Sequence, residues 1–326
     1  MGLTISVIIP AYNAAETILP CLLSLRAQAF TPHEIIIVDD ASSDNTVEIA
    51  KSYATVIKNN RNKGAGGARN AGAAVASGEV LAFTDSDCIL PPLWLQKISE
   101  ALKEEGVGAV AGGYIRHEGK SFIGNFAHLE LLRRRKDFKK YVETAPSNNF
   151  SVRKDIFDAI GGFPELFATA SNEDVVFSFK ISRKCKIRWF YDNGIGHHFR
   201  ETVGGYLTQQ YRFARDTVVM YAIFPEIKKV KTHQGYLIYF EALVTGLTLV
   251  ALFRPWPWFL LGIFSLWCLN FPLFLDIYKA MGLKSTIKTA IFLPIRDFNW
   301  IRGVIGGFLI TAGMYFKGNK VNNAGG

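Results

Sequence analysis

Short apolar runs alternate with helical spacings over the first two thirds of the chain. Ile5–Pro10 (ISVIIP) and Glu34–Val38 (EIIIV) are β-branched runs with the length and continuity of buried parallel strands. Thr55–Lys58 is a weaker third run and Glu79–Thr84 a fourth. Between them, Thr17–Ala29 has helical spacing, and Ser42-Ser43-Asp44 offers capping side chains to a helix reaching about Ser52. Asn59–Gly67 is a loop rich in Asn, Lys and Gly, and Gly67–Ala76 a small-residue helix. Residues 91–140 read as helical and mixed. A helix begun near Arg153 ends at Gly161-Gly162. Ser171 and Asn172 cap another, with Glu173 and Asp174 in its first turn, and Lys186–Tyr191 is a further strand leading into GIGHHFR. Strands alternating with helices predict an α/β fold with a mostly parallel central sheet flanked by helices.

The pattern changes after about residue 225. Three apolar stretches follow, over about 237–253, 256–275 and 300–316. The second has no charge across its 20 residues, enough to span ~30 Å of hydrocarbon. The third is charge-free only from Gly303 and is short for a span; its GVIGG face suits close helix packing. Lys279, Lys284, Lys288 and Arg296 lie between the second and third, and Lys228, Lys229 and Lys231 before the first. The positive-inside rule puts both segments in the cytosol, with only the Arg254–Pro257 turn outside. The expected division is a soluble domain over 1–225 and transmembrane or membrane-associated helices over 226–326.

Composition sharpens this picture. Hydrophobic residues make up 49% of 326, with 25 Phe, and the excess is concentrated in the tail. The four cysteines, Cys21, Cys88, Cys185 and Cys268, have no CxxC spacing, which argues against a zinc site or disulfide framework and for a reducing compartment. The first apolar run has no basic region before it and reads as a strand rather than a signal peptide. The net charge of +9 is carried partly by Arg133–Lys140 (RRRKDFKK). That run suits anionic lipid or phosphorylated substrates. It is not interleaved with stacking aromatics, so no nucleic-acid partner is expected.

Ligands of such sheets bind outside the carboxyl ends of the strands. Three features converge there: Pro10-Ala11-Tyr12-Asn13, Asp39-Asp40, and Asp85-Ser86-Asp87. A lone DxD is common by chance, whereas one sharing an edge with a second acidic pair is not.

SVIIPAYN, IIIVDDASSDNT, NKGAGGARNAG, ASGEVLAFTDSDC, the GGF segment and NEDVVF, in this order and spacing, resemble the nucleotide-diphospho-sugar-dependent glycosyltransferases of family 2. The match covers roughly residues 4–215, and the tail is similar to that of membrane-attached bacterial members. The resemblance implies a Rossmann-like GT-A fold and an inverting enzyme. Pro10, Ala11, Tyr12, Asn13, Asp39 and Asp40 would form the base and ribose pocket, with Asp40 the favoured base contact. Lys63, Gly64 and Arg69 would meet the diphosphate, where a Gly loop entering a helix favours anions. Asp85 and Ser86 would touch ribose or sugar. Asp87 would hold Mg²⁺ or Mn²⁺ with His197 or His198, the two histidines left undivided. Asp174 would be the catalytic base, oriented by Glu173. Asn148, Asn149, Gln209 and Arg212 are weaker candidates for the acceptor or diphosphate end. Phe213 replaces the Trp of the processive QxxRW motif, which argues against polymer synthesis.

The expectation is therefore sugar transfer from a nucleotide-diphosphate donor to a lipid-linked saccharide or other glycan, with the catalytic domain at the cytosolic face of the inner membrane, in cell-surface polysaccharide or glycolipid synthesis. The alternatives are a polyprenyl-phosphate monoglycosyltransferase and an inactive donor-binding scaffold of a membrane assembly.

Overall fold

The computed structural model describes residues 3–136, 138–165, 171–230, 237–251 and 256–316. Asp137, Lys231 and Leu252–Pro255, which belong to features named above, lie outside the described residues. The chain forms two units, residues 1–118 with 135–198, and residues 119–134 with 199–326.

The first unit is α/β. Its elements are β1 (Ile5–Ala11), α1 (Ile18–Arg26), β2 (Glu34–Asp39), α2 (Thr46–Ala50), β3 (Thr55–Lys58), α3 (Gly64–Val75), β4 (Val80–Thr84), β5 (Cys88–Ile89), α4 (Trp94–Ala101) and β6 (Val107–His117). After α5 (Phe122–Arg135) come β7 (Tyr141–Val142), β8 (Asn149–Arg153), α6 (Lys154–Ala159), α7 (Glu173–Ser182) and β9 (Lys186–His197). The sheet order is β3-β2-β1-β4-β8-β6-β9-β5, with β7 also on β9. The β1, β2, β3 and β4 pairings are parallel. β8 enters antiparallel between β4 and β6, so the sheet is parallel through its N-terminal half and mixed beyond it. The start of β8 thereby reaches the edge where β4 ends, with Thr84 opposite Asn149.

Period-2 alternation sorts the core. Ile5, Val7 and Ile9 of β1 face Cys21, Leu22 and Leu25 of α1 and Trp94, Leu95 and Ile98 of α4. Ile8 turns to the other face, with Phe83, Phe150, Phe157, Phe163, Phe177 and Ala68 of α3. The Phe163 and Phe177 rings stack at 3.7 Å. Five strands escape the sequence reading in whole or part. β6 is rich in small residues (VGAVAGGYIRH), β5 and β7 are two residues long, β8 opens on Asn149 after Pro-Ser-Asn, and β9 runs six residues past Tyr191 through Gly194 and Gly196. Each lacks the continuous β-branched signature of β1 and β2.

The second unit is helical, with α5 followed by α8 (Val203–Ile223), a 3₁₀ turn at Pro225–Lys229, α9 (Leu237–Ala251) and α10 (Trp256–Phe316). Gly282 (φ 76°, ψ 177°) breaks α10 into two helices. The stretches read as separate at 256–275 and 300–316 are thus joined by helix. Its intervening segment exposes Lys279, Lys284 and Lys288 together with apolar residues. Leu283, Ile287, Ile291, Ile295 and Phe298 are exposed, whereas Arg296 and Asp297 are buried. Arg296 is ion-paired to Glu130, Glu241 and Asp297. Tyr206 donates to Glu130 (2.9 Å) and Thr245 to Asp297 (3.2 Å). Gly303, Gly306 and Gly307 lie against Tyr211, Ala214, Arg215 and Val218 of α8. Trp256–Met314 is long and apolar enough to cross a membrane, by length and composition, and only 22% of its most apolar window is buried in the chain.

Gly72 lets α3 seat on the sheet, since a Cβ there would come within 2.5 Å of Ile8 Cγ2 and 3.1 Å of Val38. Gly72→Ala is expected to destabilise the α/β unit by about 1–3 kcal/mol, read by thermal or denaturant unfolding. An unchanged or raised midpoint would contradict this packing.

Candidate functional site

The loops at the carboxyl edge are held by their own polar residues. Asn13 sits at φ 49°, and its side-chain oxygen accepts from the Ser43 N–H (2.8 Å). Ser42 Oγ accepts from the Asn13 N–H (2.9 Å), Thr46 Oγ1 from the Ala14 N–H (2.7 Å), and Asp44 from the Ala15 N–H (3.0 Å). The SSDNT run therefore ties down the PAYN turn, and α2 begins only at Thr46. Pro10 and Ala11 are buried, whereas Tyr12 is 55% exposed.

Asp39 and Asp40 are both buried but differ in employment. Asp40 accepts from the Lys63 N–H (2.9 Å), the Gly64 N–H (2.8 Å) and Asn59 Nδ2 (2.7 Å). Its carboxylate thus holds the first turn of α3, where the helix dipole favours negative charge, and Gly64 adopts φ 76° there. Asp39 takes a longer bond from the Ser42 N–H (3.3 Å), as in an Asx-type turn. Lys63 and Gly64 meet Asp40 through their backbone.

Arg69 is 2% exposed. Its Nη2 donates to Asp85 Oδ1 (2.6 Å), its Nη1 lies 3.7 Å from Glu173 Oε1, and its guanidinium is 5.3 Å from the Phe163 ring centroid. One buried cation thereby joins the DxD and ED motifs. The flanking acids raise its pKa further, despite burial. Glu173, also buried, takes the Ser171 N–H (2.7 Å). Burial, then the adjacent Asp174, push its carboxyl up to about 7, against the pull of Arg69. Asp174 accepts from the Val175 N–H (2.8 Å) at the start of α7. Asn70, which sequence reasoning missed, turns away from Arg69 and clamps the GGF segment. Its Oδ1 accepts from the Phe163 N–H (2.8 Å) and its Nδ2 donates to Phe163 O (2.9 Å). Its place inside the GARNAG run is the only signal for it.

The DSDC turn is pinned to β9. Cys88 pairs with His197 across the β5–β9 bridge, and the His198 N–H donates to Asp87 O (3.1 Å). This register sets His197 Nε2 3.5 Å from Asp87 Oδ1. Asp87, Cys88 and His197 are a group whose ligand atoms lie within 4.8 Å of one another. Burial, then Asp87 and Asp85, hold the Cys88 thiol well above its ordinary pKa, so it stays a packed S–H. Ser86 lies half-buried in the turn. The His197 ring lies 5.1 Å from Tyr114, whose hydroxyl bonds the Asn148 amide (2.8 Å). Asn149 is spent on the scaffold, accepting from Trp94 Nε1 (2.8 Å) and donating to Asn193 O (2.9 Å). Gln209 is half-buried and Arg212 exposed on α8 of the helical unit.

A parallel sheet edge carrying two acidic motifs and a glycine-led helix defines the class of GT-A nucleotide-sugar transferases. Residues 6–162 match the sequence model of glycosyl transferase family 2. Glycosyltransferase AglE of Haloferax volcanii is 28% identical over 229 residues, 67% of this chain and 74% of that protein. The UDP-Glc:alpha-D-GlcNAc-diphosphoundecaprenol beta-1,3-glucosyltransferase WfgD of Escherichia coli is 34% identical over 126 residues, 37% of this chain and 50% of that protein. The match to the uncharacterized glycosyltransferase YibD of Escherichia coli, 43% identical, spans 31% of each chain, so beyond AglE these alignments reach half of the relative's length or less. Among solved structures, mannosyltransferase PcManGT from Pyrobaculum calidifontis, in complex with GDP-Man and Mn²⁺, superposes with a TM-score of 0.59 at 18% identity, over 94% of this chain and 88% of that one. Staphylococcus aureus TarS 1–349 with UDP-GlcNAc gives 0.52 at 19%, over 97% and 92%. Residues 6–162 carry a glycosyl transferase family 2 domain, and the chain is a transferase of GT-A fold.

Glu173 supplies a pH test of the buried cluster. Its folded pKa of about 7 lies above the ordinary 4.5. The stability it contributes is therefore full at low pH and is lost as pH rises through the folded value. Relative to Glu173→Gln, the melting temperature of the wild type is expected to fall on the order of 5 °C between about pH 5 and about pH 8. A difference independent of pH would place the titration elsewhere.

Proposed function

We propose that the protein is an inverting glycosyltransferase that moves a sugar from a nucleotide-diphosphate donor to a lipid-linked saccharide at the cytosolic face of a membrane. The observation that carries this is the meeting, at one sheet edge, of the Asp87–His197 pair with the Arg69-bridged Asp85 and Glu173. The base and ribose are taken by Pro10–Asn13 and Asp39, because Asp40 is occupied in building the α3 entrance. Asp85, steered by Arg69, meets ribose or sugar. Asp174 removes the acceptor hydroxyl proton. The oxygen then attacks the anomeric carbon from the face opposite the leaving nucleoside diphosphate, which inverts the centre.

The donor set at Asp87 fits a divalent cation. It offers one carboxylate oxygen and one imidazole nitrogen on partly exposed side chains, leaving positions for diphosphate oxygens and water. Bound there, Mg²⁺ or Mn²⁺ supplies charge neutralisation for the leaving diphosphate. His197 is the ligand of the two histidines and His198 the strand-end neighbour.

Two observations support the lipid-linked acceptor. WfgD and WfaP, relatives of this chain, are glucosyltransferases acting on a diphosphoundecaprenol-linked sugar. The outward apolar face of α10, with Arg296 and Asp297 buried against partners, suits a hydrocarbon environment, and its exposed Lys279, Lys284, Lys288 and Arg302 suit a membrane surface.

The test is turnover by the full-length chain in detergent or nanodiscs, with Mg²⁺ or Mn²⁺, UDP-Glc, UDP-GlcNAc or GDP-Man, and polyprenyl-diphosphate-linked sugars or polyprenyl phosphate as acceptor. Asp87→Ala and Asp174→Asn are each expected to lower kcat roughly 10²–10⁴-fold. Full turnover in both would sink the mechanism, and transfer to polyprenyl phosphate alone, unaffected by Asp174→Asn, would replace the acceptor assignment. His197→Ala is expected to weaken the metal dependence about 10–100-fold while His198→Ala leaves it nearly unchanged; the reverse order would exchange the two.

A further inference from the structure

Arg135 is the feature of the first unit that the proposed mechanism leaves unused. It is the last residue of α5 and 7% exposed, yet its Nε and Nη1 are buried with no hydrogen-bond partner among the described residues. Its guanidinium lies 4.8 Å from the centroid of the Tyr114 ring. That same ring is 5.1 Å from His197, whose Nε2 is 3.5 Å from Asp87, and the Tyr114 hydroxyl holds Asn148. A stack of two rings therefore connects a buried, unpaired cation to the DxD turn.

Cation–π contact and the carbonyl end of a helix both favour a positive charge here. Neither gives the two buried N–H groups an acceptor, and a buried charge left without hydrogen bonds is a standing cost. Arg69 also has a buried Nε and Nη1 without hydrogen-bond partners among the described residues, but its charge is met by Asp85 at 2.6 Å and Glu173 at 3.7 Å, and Arg183 and Arg188 meet Glu143 and Glu104. A planar, always-charged donor of this kind is matched by phosphoryl oxygens.

We propose that Arg135 binds a phosphate group of a substrate, entering beside Tyr114 and Asn148. The inference rests on reading the edge as a nucleotide-sugar site. The shared chemistry is a diphosphate, and its source is either the donor nucleotide or the lipid-linked acceptor.

The experiment uses the full-length chain in detergent with Mn²⁺. UDP, UMP, GDP and GMP are titrated calorimetrically into wild type, Arg135→Gln and Arg135→Lys, and KM is measured for donor and for a polyprenyl-diphosphate-linked acceptor. If the donor is the source, Arg135→Gln weakens the nucleoside diphosphate roughly 10–100-fold and leaves the monophosphate within about twofold, with partial recovery in Arg135→Lys. If the acceptor is the source, nucleotide binding is unchanged and only the acceptor KM rises by that factor. Equal losses for diphosphate and monophosphate with a lowered melting temperature mark a purely structural residue and overturn the proposal, as does no change in any of these. Should Arg135→Gln not fold, Arg135→Lys carries the same diphosphate-over-monophosphate comparison. A wild-type chain that binds neither UDP nor GDP overturns the reading of the site as well, whereas a binding wild type with indifferent Arg135 variants overturns the role of Arg135 alone.

Discussion

The burial of one guanidinium organises the carboxyl edge of the sheet. Arg69 is almost fully excluded from solvent, and a cation so placed must be matched by acids with good geometry. Its two partners come from β4's end and α7's start, far apart in sequence. Asp85 is the close partner at 2.6 Å, and losing it would leave Arg69 only the 3.7 Å contact with Glu173, so the DxD turn and the start of α7 are tied together through this one side chain. The small residues of α3 make this burial possible. A Cβ on Gly66 would already touch Phe163, Pro164 and Glu173, and one on Gly72 would strike the sheet. The glycine run thus serves packing as much as any approach of phosphate to backbone.

The same edge employs the two members of each paired motif differently. Asp40 holds the entrance of α3 while Asp39 is lightly bonded. Asn149 is consumed by Trp94 and Asn193 while Asn148 meets a single tyrosine hydroxyl. His198 contributes its backbone to Asp87 while His197 contributes its ring. The motifs, their order and their sheet edge were legible in the sequence, because β-branched runs and turn residues report local structure directly. Which member of each pair does which task was not, because it depends on strand register. The β5–β9 bridge that selects His197 is two residues long and carries no periodicity a reader could detect. Asp40, the expected base contact, is met by backbone N–H groups 23 and 24 residues downstream, which no local pattern reveals.

The tail shows the converse limit of pattern reading. Hydropathy locates its apolar stretches, and the Lys and Arg between 276 and 300 read as a cytosolic segment under the positive-inside rule. The structure instead turns Arg296 and Asp297 inward to Glu130 and Glu241 and presents isoleucines outward. Composition cannot distinguish a helix with charge outside from one with charge inside. Only the partners, here on α5 and α9, decide it, and they are more than fifty residues away in sequence.

Charge balance explains why such a site calls for a cation besides Arg69. Asp85, Asp87, Glu173 and Asp174 gather at one edge, and the upward push on the Glu173 carboxyl, by burial and by Asp174, marks local negative charge that Arg69 only partly offsets. A nucleotide-sugar donor would add a diphosphate to this excess. Like charges a few ångströms apart in a partly buried site repel by several kcal/mol, on the order of 4 kcal/mol at an effective dielectric of about 20. On the proposed reading, a divalent ion at Asp87 and His197 and the guanidinium of Arg135 beside Tyr114 would bring positive charge to this edge while the buried Arg69 bridge stays intact.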